Sequence, residues 1–155
     1  MDADERVTVR GRRGPGRLDE RTLRVVLTVL GLADVALGVW MALWPGSFSR
    51  SLGGFGVRND HDIRDAATWS LALGLALLCS VRRRSWRVPL LFLASLQVVL
   101  HIANHIADVA DANPLWAGPV DVVLLTVQGV AFAVALGSAS RATPRRGTAR
   151  ARLAR

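Results

Sequence analysis

The sequence predicts an all-α fold: a four-transmembrane-helix up-down bundle with both termini on the cytoplasmic side. Three observations carry that expectation. First, 51% of the 155 residues are hydrophobic and bunched into four long runs that charges largely avoid, whereas a water-soluble domain of this size would scatter them. Second, each run spans or nearly spans a hydrocarbon core about 30 Å thick, which takes roughly 20 helical residues. Third, all 20 basic residues are arginine, and they fall unevenly between the connections on the two sides. A mean hydropathy of +0.30 excludes a disordered or nucleic-acid tail protein despite the net charge of +8.

The first run, 25–44, is broken only by Asp34 and followed by Pro45, which gives a helix over about 22–44. The second, 66–81, holds no charge and reaches spanning length only if its helix starts near Ile63, giving about 63–81. The third, 88–107, contains His101 and His105 and gives a helix over about 88–108; the fourth, 115–137, contains only Asp121 and gives about 117–138. Pro89 and Pro119 sit in first turns, where a proline removes no helical hydrogen bond. Residues 1–21 and 139–155 are too polar and too rich in Gly, Pro and Arg to build a core, and read as mobile tails. Arg12 and Arg13 resemble a twin-arginine export signal, but no small-x-small cleavage site follows the first helix, which is expected to stay attached.

Sorted by segment, seven arginines lie in residues 1–24, four in 82–87 and six from 141 onward, against three (Arg50, Arg58, Arg64) in the first and third connections. Short arginine-rich loops stay cytoplasmic, so both termini and the second connection face inward, and the protein is expected in the bacterial cytoplasmic membrane as a multi-pass protein. Trp40, Trp44, Trp69 and Trp116 fall toward the outer ends and Trp86 at the inner end, where amphipathic rings favour the interface. The basic C-terminus sets topology and attracts anionic lipid heads; the bilayer, not nucleic acid, is the expected partner. Cys79 alone supports neither a disulfide within the chain nor a CxxC pair, and reads as a small apolar filler.

Ionisable groups inside a membrane are costly and become functional candidates by default. On the third helix, Gln97, His101, Asn104, His105 and Asp108 fall within an arc of about 100°, a polar stripe expected to face the bundle interior. At about 1.5 Å per residue, His105 and Asp121 lie about 5 Å below the outer interface, His101 about 10 Å, and Asp34, Gln97 and Gln128 about 15 Å. Together they would line a vestibule open to the outside. Asn59 or Asp60 caps the second helix, with acids in the first turn favoured by the helix dipole. A start at Asp60 would put His61, Asp62 and Asp65 on one side and bring three histidines near several carboxylates.

Three readings of this cluster stand side by side. Two histidines at i, i+4 can ligate a transition metal with a carboxylate, so His101, His105, Asp65 and His61 form a candidate metal set, with Asp121 as an alternative carboxylate. The same residues can instead hydrogen-bond across helices and simply lock the bundle. Or His101, Asn104, His105, Asp108, Asp34, Asp121, Gln97 and Gln128 serve as ligand-binding or proton-relay groups, the ligand being of quinone type. Haem is disfavoured because His101 and His105 share a face, and no hydrolase, P-loop or Rossmann motif occurs.

Residues 31–38 (Gly-Leu-Ala-Asp-Val-Ala-Leu-Gly) followed by Trp44 and Pro45, then Arg64-Asp65-Ala66-Ala67 leading to Leu71-Ala72-Leu73-Gly74, resemble the small four-helix bacterial membrane proteins of the DoxX-like group, its actinobacterial members especially. The likeness covers roughly residues 22–138, and the all-arginine usage fits a high-GC actinobacterial source. The resemblance implies a four-helix bundle and an accessory or redox-complex subunit rather than an enzyme on its own, since some members serve quinone-linked sulfur oxidation. A metal ion or quinone head group is the implied ligand; other membrane subunits or a second copy are the implied protein partners. A structural or interaction protein is the alternative, and a proton-coupled transporter drawing on Asp34 the second.

Overall fold

The computed structural model describes residues 18–142; of the tails expected from the sequence, 1–17 and 143–155 lie outside the described residues. Five α-helices follow in order: α1 Glu20–Leu43, α2 Pro45–Ser49, α3 Asp60–Arg82, α4 Arg87–Ala107 and α5 Ala117–Ala142. No strand occurs among the described residues, only an isolated antiparallel bridge between Phe55 and Ala112.

Two of the long helices start where the sequence offers a side-chain cap. Asp19 accepts a hydrogen bond from the Thr22 amide and fixes the start of α1. Asn59 accepts from the His61 amide, so α3 begins at Asp60, a turn earlier than hydropathy alone gives. That start leaves Asp60 and Asp62 at the positive end of the helix dipole. Four helices, α1, α3, α4 with its preceding turn, and α5, are long and apolar enough to cross a membrane, at 24, 23, 24 and 26 residues. Their outer faces stay apolar: Val25 and Val29 on α1, Val99 and Leu100 on α4, and Val123 and Val127 on α5 are all more than half exposed. Soluble monomers rarely show contiguous apolar surface of this extent, so the chain has the build of a multi-pass membrane protein. Cys79 lies on the exposed side of α3 and fills no interior space.

The helices pack as two close pairs, α1 with α3 and α4 with α5. In the first pair, a Cβ on Gly74 would lie 2.7 Å from both the Gly31 carbonyl oxygen and the Val35 nitrogen. Only glycine lets the two backbones approach that closely. The pairs join through a core of Leu23, Leu27, Leu77, Leu91, Val98 and Phe132, each at most 2% exposed. This core fills the half of the bundle containing Glu20, Arg87 and Ser138. A clamp closes that end: Arg87, only 4% exposed, donates to the Ser80 and Val81 carbonyls at 2.9 and 2.8 Å and to both Glu20 carboxylate oxygens. The Leu18 amide donates to Ser138 Oγ, tying the entry to α1 onto α5.

The opposite end, where α1 runs into Pro45, is covered by loops. The Asn113 amide donates to the Gly54 carbonyl at 2.7 Å, joining the connection before α3 to the connection before α5. Gly54 is required there, because any Cβ would collide with the Asn113 carbonyl.

Candidate functional site

The polar residues of α4 divide according to their angle from the face that packs on the bundle. Leu91, Ala94 and Val98 are buried and define that face. At 100° per residue, His105 lies about 20° from Val98, His101 about 60°, Gln97 about 100° and Asn104 about 120°. The stripe expected to face the interior therefore enters it at one edge only. His105 is half-buried, while His101, Asn104 and Asp108 are exposed. The sequence arc was correct, but the helix is rotated so that Leu91, Ala94 and Val98, and not the polar stripe, pack on the core.

Three arrangements result. At the packed edge, His105 Nδ1 stands 3.8 Å from Asp121 Oδ2 on α5, with side-chain exposures of 16% and 9%. Neither atom has a hydrogen-bond partner. The Phe55 ring, from the loop before α3, meets the His105 ring edge-on with centroids 4.8 Å apart. On the next turn, the His101 ring meets the His105 ring at 4.6 Å.

On the flank, Gln97, His101 and Asn104 line an open groove of about 480 Å³ together with Leu93, Leu96 and Leu100 of α4 and Trp69 of α3. α3 and α4 diverge from the Arg87 clamp, and the indole of Trp69 stands across from the polar residues. The groove is thus a strip of three hydrogen-bonding side chains edged by leucines and one aromatic wall, open on the outer surface of the bundle.

Deeper on α1 and α5, Gln128 Nε2 donates to Asp34 Oδ1 at 2.9 Å. Asp34 is 4% exposed, and its second oxygen, Oδ2, has no hydrogen-bond partner. Gln97, expected at the same depth, lines the groove and not this pair.

The remaining candidates lie apart. His61 and Asp65 face each other across one turn of α3 at 3.5 Å with exposures of 81% and 69%. Among the described residues no three His, Cys, Asp or Glu side chains are grouped to hold a metal ion. The metal set His61, Asp65, His101 and His105 is therefore not assembled: the first two project from the start of α3, and the other two contact each other ring to ring. A scan against protein-family models and searches of curated proteins and solved structures find no match. What the site can do follows from its own chemistry.

That chemistry is amphiphilic. Gln97 and Asn104 offer both donors and acceptors and His101 one of each when neutral, so the groove can bind carbonyl or hydroxyl oxygens. The leucines accept an alkyl chain, and Trp69 a flat ring. Two contributors were not legible in the sequence: Trp69 reads there as an interfacial anchor, and nothing in the local pattern singles out Phe55. Both act through contacts between elements that local patterning does not encode.

Proposed function

We propose that this chain is a multi-pass protein of the bacterial cytoplasmic membrane, an up-down bundle of DoxX-like type with both termini inside. In it the groove between α3 and α4 binds an amphiphilic small molecule of the quinone class, as part of an accessory or redox-complex subunit. The observation that carries this reading is the open groove: three polar side chains, Gln97, His101 and Asn104, framed by Leu93, Leu96, Leu100 and Trp69 on the outer surface of the bundle, which in a bilayer would meet acyl chains. A ligand dissolved in the bilayer would enter sideways, lay its ring against Trp69 and its tail along the leucines, and present its oxygens to Gln97 and His101. The orientation rests on the arginine distribution, with the Glu20 end, its Arg84 and Arg87 included, on the cytoplasmic side. The resemblance seen in residues 31–45 and 64–74 supports the subunit role. Asp34 and Gln128, bonded to each other, fit the structural reading and are assigned to holding α1 against α5.

The test is equilibrium binding of a decyl-tailed benzoquinone to the full chain in lipid nanodiscs, followed by tryptophan quenching with Trp69→Phe as control. Saturable quenching is expected, weakened about thirtyfold by Gln97→Ala with His101→Ala, the loss of two hydrogen bonds of about 1 kcal/mol each. Non-saturable quenching, or quenching indifferent to these changes, would reject the reading.

A further inference from the structure

Behind the groove stands a line of titratable groups that ligand binding alone does not require. Asp121 on α5 is 7% exposed and faces His105 Nδ1 across 3.8 Å. Next, the His105 ring touches the His101 ring at 4.6 Å, and His101 forms part of the groove wall. A carboxylate and imidazole joined for structure alone would close to about 2.7–2.9 Å. Here both facing atoms are buried without a hydrogen-bond partner, a spacing that a small rotation or one water bridges. Around His105, the groups on neighbouring elements are Asp121 from α5 and the uncharged Phe55 from the loop before α3. Its own helix adds His101 and the exposed Asp108. Asp34 is engaged by Gln128, and His61 pairs with Asp65.

A head group beside His101 would sit about 10 Å below the outer interface expected from the arginine distribution, with His105 and Asp121 behind it. Any change in its protonation needs carriers. We propose that Asp121, His105 and His101 form a proton-carrying file between the α3–α4 groove and water at the Pro45 end, so that the groove's ligand is one whose polar head gains and loses protons. In the inward direction Asp121 gives its proton to His105 Nδ1, and His105 releases the proton on its other ring nitrogen. His101 takes that proton up and passes one to the head-group oxygen. Asp121 is recharged from water, and no electron moves in any of these steps. The inference rests on the groove being a ligand site.

The experiment uses the full chain in nanodiscs and an alkyl-tailed 7-hydroxycoumarin, whose fluorescence reports its own protonation, in a stopped-flow pH jump. Asp121→Asn and His105→Gln are expected to slow protonation of the bound coumarin at least about tenfold while leaving its affinity within about twofold; Asp121→Glu restores the rate. Intact binding with an unslowed rate in both variants would overturn the file and leave the groove reading standing. Failure of the coumarin to bind saturably would remove both. Should the variants not fold, imidazole ¹⁵N spectra of the wild-type chain decide: exchange between His105 tautomers over about pH 5 to 9 is expected, and a single fixed tautomer throughout would overturn the proposal.

Discussion

The seam between α1 and α3 and the seam between α3 and α4 share one helix and end in opposite ways. Along the first, Gly31 and Gly74 bring backbones into direct contact, with room for no side chain between them. Along the second, Arg87 pins α4 to the carbonyls of Ser80 and Val81 at one end, and beyond it leucines and polar side chains face Trp69 across a groove. In a bilayer, where apolar burial drives helix association weakly, small residues set how closely helices pack. The difference shows that α3 spends its small residues on one partner, and the other partner is left with an opening that large side chains line and do not fill.

The largest disturbance of this contrast is to remove the glycine contact. Gly74→Leu forces α1 and α3 apart, since the new side chain meets backbone atoms that cannot rotate away. The expected loss is about 3 kcal/mol, read by denaturant titration in mixed micelles; a change within experimental scatter would show that the seam is not tightly packed. Releasing the clamp comes second. Arg87→Met leaves the Ser80 and Val81 carbonyls without their donor and Glu20 paired with Arg24 and Arg84, and about 2 kcal/mol is expected to be lost, together with faster proteolysis in the 82–87 connection.

The intramembrane lock gives a smaller effect. Gln128→Leu leaves Asp34 buried with neither oxygen bonded and should destabilise by about 1–2 kcal/mol. Adding Asp34→Leu should recover much of that loss, the non-additivity expected of touching residues; strict additivity would mean the pair is not coupled. Smallest in stability but informative about the groove is Leu100→Trp, which places bulk in open space. It should shift stability by less than about 0.5 kcal/mol yet reduce decyl-benzoquinone binding at least about tenfold.

How much of this was legible in the sequence depended on whether the signal was local. The four apolar helices follow from run length and the absence of charge, and Asn59, read as a cap, fixes the start of α3. Gly31 and Gly38 beside Asp34 permit close approach by their size alone, while the partner glycine, Gly74, is identified by the structure. The polar stripe on α4 was visible as an arc, but its heading was not: the rotation of a helix in a bundle depends on which apolar side chains its neighbours accept, and Leu91, Ala94 and Val98 won that contest. For the same reason the contact of His105 with Asp121 and the bond between Asp34 and Gln128 emerge only when helices distant in sequence are brought together. His61 and Asp65 illustrate the converse. Their spacing was read correctly, yet a helix that begins at Asp60 projects them away from the cluster they were grouped with.

A bundle fastened at one end by a buried guanidinium and at the other by the bond between the Asn113 amide and the Gly54 carbonyl behaves as a bow held at both tips. The pressure of surrounding acyl chains would act on the stretch between, so the thickness and fluidity of the host bilayer become a control on how readily the groove admits a molecule. Vesicles of short-chain and long-chain phospholipid should then differ in uptake even though no side chain has changed.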